Sequence, residues 1–269
     1  MKTNVIHTGD SAEVLKTFDA DCIDLTVTSP PYDTLRTYNG FTFDFEAIAR
    51  QLYRVTKFGG VVVWVVGDVT VNGSETGTSF RQALYFMQCG FNLHDTMIWD
   101  KVGMRFPDAS RYNPVFEYMF IFSKGTPRVM NFIEDKKNIY SGGKVARISQ
   151  SREADGRLHE NSAWRNDKNK VVKEYGKRNN IWQIHTGGGE GLSEHPAFFP
   201  EDLARDHILS WSNEGDIVLD TFCGSGTTCK MAKMNSRNYI GIEISPEYVT
   251  LAERRILATN VPLFSMAGS

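Results

Sequence analysis

The sequence predicts an α/β domain built on a mostly parallel sheet, and three observations carry that prediction. Apolar runs of strand length alternate with stretches of helical apolar spacing over most of the chain. One run, Val61 to Val66, is apolar at every position, as a strand covered on both faces in the middle of a parallel sheet must be. The length, 269 residues, suits one such domain carrying an insertion.

In chain order, Asn4 to Ile6 reads as a strand, followed by a short helix with Val14, Leu15 and Phe18 on one face and Ser11 placed to cap it. Asp21 to Val27 is the next strand. It ends in Thr28-Ser29-Pro30-Pro31-Tyr32, where two prolines hold φ near −65° and remove two backbone donors. The chain therefore leaves this strand as a stiff loop with bare carbonyls, a hydroxyl before them and an aromatic face after. Such a loop suits a flat ring that carries an exocyclic amine.

Residues 43–56 have helical spacing, with Gly59-Gly60 as the stop before the Val61–Val66 strand. A helix from Ser79 to Gln88 closes at Gly90. Strands follow at Phe91 to Trp99 and Phe116 to Phe122. Order returns with a helix over 200–210, a strand over 217–221, a helix over 227–234 and a strand over 239–244. Ser245 caps the last helix, with Pro246 at its first position.

Between them, residues 125–185 lose periodicity and read as an insertion. Net charge is −2 overall, but residues 124–180 hold 14 Lys and Arg against 7 Asp and Glu, leaving 16 against 25 elsewhere. A basic segment in an acidic body is a footprint suited to a polyanion. Cys22, Cys89, Cys223 and Cys229 show no CxxC spacing and read as reduced thiols, with no metal site implied. No run is long enough for a membrane helix and the N-terminus has no signal-peptide core. A cytoplasmic setting without membrane contact is the expectation.

A second constellation lies in Asp220-Thr221-Phe222-Cys223-Gly224-Ser225-Gly226-Thr227, between a strand and a helix. Its glycines let the backbone bend sharply, and the helix start offers free N–H groups. A third glycine is missing, since position 229 is Cys, so this is not a dinucleotide fingerprint. Glu243, at the end of the next strand, is placed to accept both hydroxyls of a ribose.

Together these stretches resemble the S-adenosylmethionine-dependent amino DNA methyltransferases. Ser29-Pro30-Pro31-Tyr32 is similar to that family's catalytic motif, Asp220 to Thr227 to its cofactor loop, and Arg237 to Glu243 to the segment that follows. His195 to Pro200 resembles the motif over the methionine end of the cofactor, with Phe199 where many members have Lys, and Gly9-Asp10 resembles the acidic turn near the adenine. The order, catalytic motif first and cofactor loop last, is that of the β-type permutation.

The resemblance implies a seven-stranded methyltransferase-type, Rossmann-like sheet flanked by helices. It implies a catalytic half over residues 1–124, a target-recognition insertion over 125–185 and a cofactor half over 186–269. Ser29, Pro30, Pro31 and Tyr32 become the catalytic set. Asp10, Phe199, Asp220, Phe222, Gly224, Ser225, Gly226, Thr227 and Glu243 become the S-adenosylmethionine contacts. The expected reaction is methyl transfer to the exocyclic amine of a base flipped out of double-stranded DNA. Ser29 tilts the choice to cytosine N4 over adenine N6, with RNA or a protein amide as distant alternatives. Lys136, Lys137, Lys144, Arg147, Arg152 and Arg157 are candidates for phosphate contacts, and Arg36, Tyr38 and Arg111 for contacts near the base. A homodimer and a cognate restriction endonuclease are candidate partners.

Overall fold

The computed structural model describes residues 1–31, 44–103, 111–143, 151–152, 155, 157–159, 171–186 and 199–259. The chain divides into two compact units, Met1–Asn131 with Asn180–Ser269, and Phe132–Asn179. The elements run β1 (Val5–Thr8), α1 (Ser11–Lys16), β2 (Ile23–Thr28), α2 (Phe45–Val55), β3 (Thr56–Val66), β4 (Thr70–Val71), β5 (Ser74–Glu75), α3 (Thr78–Gln88), β6 (Asn92–Asp100) and β7 (Phe116–Ser123). The smaller unit holds β8 (Lys136–Lys137), β9 (Ser151–Arg152), β10 (Leu158–His159) and β11 (Tyr175–Gly176). The chain then continues with β12 (Ile181–Gln183), α4 (Glu201–Trp211), β13 (Ile217–Asp220), α5 (Thr227–Met234), β14 (Asn238–Glu243) and α6 (Pro246–Leu257).

The main sheet has the order β1-β14-β13-β2-β3-β7-β6-β12. Neighbours are parallel except where β7 meets β3 and β6. β3 explains its own composition: Val62, Trp64 and Val66 enter one apolar cluster with Leu15, Ile48, Leu52 and Phe86. Val61, Val63 and Val65 enter another with Leu25, Leu203 and Ile208. A strand that feeds two cores has no polar face to show. Ser245 accepts from Tyr248 N, and Pro246 occupies the first turn of α6.

Three expectations change. The sheet has eight strands, because β12 pairs in parallel with β6 on the outer edge and buries Trp182. Three residues are too few for periodicity to register. Residues 180–185 therefore lie in the larger unit, as do residues 125–131, where Arg128 bonds Asp24 and Asn131 N donates to the Ser210 carbonyl. Asp10, not Ser11, caps α1, its carboxylate accepting from Glu13 N; Ser11 is already in the first turn and donates to the Thr221 carbonyl. Gly59-Gly60 does not stop α2. The helix ends at Val55, where the Thr56 hydroxyl bonds the Leu52 carbonyl, and both glycines lie inside β3. A Cβ at Gly60 would sit 2.9 Å from the Lys57 carbonyl and 3.0 Å from that of Asp24, so the close backbone approach explains the residue.

Asp24, on β2, is 3% exposed. Its carboxylate accepts from Lys57 Nζ and Arg128 Nη2, each at 2.8 Å, and from Ile217 N at 2.9 Å. It joins β2, β3 and the start of β13. Replacing it, Asp24→Ala, orphans the Ile217 donor and removes charge-assisted bonds. The expected loss is about 2 kcal/mol of stability, read from urea unfolding midpoints. A change within ~0.5 kcal/mol, the range of a plain surface site, would contradict this role for the junction.

Candidate active site

The five parallel strands β1, β14, β13, β2 and β3 end at one edge of the sheet. The register sets Thr8 beside Glu243, Asp220 beside Gly241, and Thr28 beside Trp64. From β2 the chain steps to β3, and from β13 it steps the opposite way to β14, so the strand order reverses between β13 and β2. In open α/β sheets the crevice beyond such a reversal is where ligands bind.

At that point the two motifs are bonded together. The buried Thr28 hydroxyl donates to Asp220 Oδ1 at 2.7 Å, and the Thr221 hydroxyl donates to that of Thr28 at 3.3 Å. Thr228, on the first turn of α5, donates to the Val27 carbonyl at 3.3 Å. Asp220 also accepts from Phe222 N, which holds the start of the glycine turn. Burial pushes the Asp220 carboxyl up to about 6, against the hydrogen bonds from Thr28 and Phe222 that favour its charge.

Glu243 lies at the end of β14, 9% exposed. One carboxylate oxygen accepts from Gly224 N at 2.8 Å, the other from Ser245 N at 2.9 Å. The same residue's carbonyl accepts from Gly9 N. Glu243 is thereby fixed between the glycine turn, the β1 turn and the start of α6, with lone pairs remaining on each carboxylate oxygen.

Gly226 holds φ +83°, and a Cβ there would lie 2.8 Å from the Ala252 Cβ. Both the backbone and the packing of α6 require glycine at this position. Arg255 reaches the turn from α6: Nη1 donates to the Ser225 carbonyl at 2.6 Å and to the Ser225 hydroxyl at 2.7 Å, while Nη2 pairs with Glu201 at 3.1 Å. Cys223 and Cys229 lie beneath, Sγ to Sγ 3.6 Å. Their mutual contact, with burial, pushes the Cys223 thiol up, and both side chains are buried in the packing between the turn and α6.

Of the expected residues, Ser29, Pro30, Asp220, Gly224, Ser225, Gly226, Thr227 and Glu243 gather at this edge. Pro30 is buried, while Ser29, Pro31, Phe222 and Asp10 are half-buried. Phe222 packs edge-on against Trp64, and Phe199 packs against the cluster of Leu203 and Ile208. Tyr32, Arg36, Tyr38, Lys144, Arg147 and His195 to Phe198 lie outside the described residues. Asp68 takes a structural role, accepting from the backbone N and hydroxyl of Ser79 at the start of α3. Arg111 bonds the Thr70 hydroxyl and the Gly73 carbonyl of the β4–β5 hairpin.

Sequence reading missed the Thr28–Asp220 pair, the Ser11–Thr221 bond and the Arg255 clamp. Each links residues far apart in the chain, and no local spacing signals them.

Two outcomes follow from this geometry. Gly226→Ala imposes both strain and overlap, for an expected cost of about 2–4 kcal/mol in urea unfolding, and adding Ala252→Gly restores part of it. If the double substitution recovers nothing, contact with α6 is not the cause. For Asp220, the raised folded-state value means that its contribution to stability is fully present below about pH 4 and is lost as pH rises through about 6. Asp220→Asn removes this dependence, so relative to wild type the variant gains about 2 kcal/mol between pH 4 and pH 7.5. Parallel stability profiles for the two proteins would contradict the shift.

The fold agrees with what known proteins show. Residues 23–254 match the family model described as DNA methylase. The chain is 58% identical over 242 residues to the orphan methyltransferase M.BamHII of Bacillus amyloliquefaciens, covering 88% of this chain and 89% of the relative. It is similar in structure to a protein of Thermus thermophilus assigned as a DNA modification methylase and solved in complex with S-adenosyl-L-methionine. That pair has TM-score 0.63 and 27% identity, covering 96% of each chain. PvuII DNA methyltransferase, cytosine-N4-specific, shares the fold at TM-score 0.67 and 22% identity, covering 97% of this chain and 89% of that one. The chain belongs to the DNA methylase family of amino methyltransferases and is a DNA methyltransferase.

Proposed function

We propose that this DNA methyltransferase moves a methyl group from S-adenosylmethionine to the N4 amine of a cytosine flipped out of duplex DNA. The observation that carries the reading is the Thr28–Asp220 bond, which puts the start of the Ser-Pro-Pro loop against the glycine turn. Acceptor and donor pockets then share one wall.

The residues present fit the cofactor. Glu243, held rigid by two backbone donors, offers lone pairs suited to a ribose diol. Asp10, Phe222, Gly224, Ser225, Gly226 and Thr227 lie on the adjoining turns, with Asp220 behind them, and would hold the cofactor; the resemblance assigns Phe199 to its methionine end. When bound, S-adenosylmethionine supplies an electrophilic methyl on a sulfonium. The chain's own contribution is to hold the amine. Ser29 and the Pro30 carbonyl accept its two N–H bonds, which turns the nitrogen lone pair out of conjugation with the ring. Tyr32 stacks on the base. Transfer then needs only alignment and a favourable field. No cysteine adduct is formed, consistent with Cys223 and Cys229 serving as packing.

Ser29 supports cytosine, and adenine N6 is the alternative the same loop serves. The basic stretch 125–185 is assigned to target recognition and double-stranded DNA is the partner. A cognate endonuclease is the weaker expectation, because the 58% identical relative is named an orphan methyltransferase. A homodimer is to be read by sedimentation.

The test is transfer of label from S-adenosylmethionine to unmodified duplex DNA, RNA and protein, with digestion of the product to nucleosides. N4-methylcytosine from duplex DNA is expected. N6-methyladenine alone would overturn the base assignment, and label in RNA or protein only would overturn the reading. Ser29→Ala should lower kcat by roughly 10²-fold or more, as for loss of one transition-state hydrogen bond, with cofactor affinity unchanged.

A further inference from the structure

The smaller unit presents an unusual turn. Its β8 and β11 pair antiparallel, Lys137 beside Tyr175 and Lys136 beside Gly176. The ladder continues through Asn138 N to the Glu174 carbonyl, Gly142 N to the Val172 carbonyl and Val172 N to the Gly143 carbonyl. Between these rungs Ser141 N closes on the Asn138 carbonyl, so Ile139 and Tyr140 are the two central residues of a turn.

Turn centres favour Gly, Asn, Asp and Pro for conformational reasons. Here a β-branched aliphatic and an aromatic stand there, 91% and 78% exposed. Neither contributes to the apolar clusters of the fold. The base beneath them is firm. Asn138 Nδ2 donates to the Lys173 carbonyl at 2.9 Å, Arg178 N donates to the Ile133 carbonyl, and the Arg178 guanidinium grips the Asp135 carboxylate. The unit is cationic in sequence, residues 132–179 holding 12 Lys and Arg against 7 Asp and Glu; among the described residues Lys136, Lys137, Lys173 and Lys177 are exposed around the ladder.

We propose that Ile139 and Tyr140 form an apolar wedge that enters the base stack of duplex DNA. The inference rests on the assignment of this unit to target recognition and extends it from phosphate contact to deformation. The surrounding lysines offset phosphate charge and hold the duplex against the unit. The wedge then places apolar surface between base pairs, where insertion unstacks a step and unwinds the helix. A methyltransferase that must extrude its target base gains from this, because part of the unstacking is already met by the apolar contact.

The experiment uses the full chain and covalently closed plasmid DNA relaxed by a topoisomerase, with the linking-number change read per bound protein and binding measured separately on the same DNA. Wild type unwinds the plasmid. The double substitution Ile139→Ser with Tyr140→Ser lowers the unwinding at least about threefold, while Tyr140→Phe, which keeps the ring, retains it. Both positions are exposed, so the melting temperature stays at the wild-type value. Lys136→Ala with Lys137→Ala weakens DNA binding and flattens its salt dependence. If the lysine variant loses binding but the serine variant unwinds like wild type, the wedge is wrong and the assignment of the unit stands. If neither variant changes anything, the assignment itself fails. If Tyr140→Phe loses as much as serine, a hydroxyl contact and not stacking is responsible, and the wedge is overturned.

Discussion

The hydroxyl of Thr28 donates to the carboxylate of Asp220 across 192 positions of sequence. This contact closes the gap between a loop that can hold an amine and a turn that can hold a nucleotide. Neither is sufficient alone. A Ser-Pro-Pro loop without the second motif is an ordinary strand exit, and a Gly-x-Gly turn without the first is an ordinary βα junction. Thr221 and Thr228 add further bonds across the same seam, so the edge between β2 and β13 is a dense polar join inside an apolar sheet. Its burial explains why Asp220 resists ionisation, and why the seam is sensitive to the charge state of one group.

The opposite end of β2 is held by a different chemistry. There Asp24 gathers two cations and a backbone donor. The central strand is thus tied to β13 at both ends, with the alternating cores of β3 beside it. The glycine turn is anchored in the same spirit. Glu243 holds Gly224 from one side, Arg255 holds Ser225 from another, and Ala252 leaves room only for a hydrogen at Gly226. A turn fixed by three residues of β14 and α6 presents its N–H groups without reorganising, which is the property that electrostatic preorganisation exploits.

Much of this was legible in the sequence. The all-apolar β3, the Ser245-Pro246 start of α6 and the placement of Asp220 and Glu243 at strand ends each follow from local pattern, because local pattern is set by local packing and capping. What was hidden is relational. Thr28 looked like a neighbour of Ser29, and only the parallel pairing of β13 with β2 makes it the partner of Asp220. Arg255 carries no local signal, and only the approach of α6 to the glycine turn makes it a clamp. β12 is three residues long and acquires its strand character from the edge of β6. Gly59 and Gly60 carried the signal of a stop and turned out to mark a close backbone approach inside a strand.

If the two motifs serve the reaction, the seam between them must act as one unit. A double-mutant cycle with Thr28→Val and Asp220→Asn, scored on kcat/KM for methyl transfer to duplex DNA, measures this directly. The expected coupling energy is about 1.5 kcal/mol or more, as for a buried charge-assisted pair. Additivity within ~0.5 kcal/mol, the behaviour of independent sites, would show that the two motifs act separately and contradict the role given to the seam.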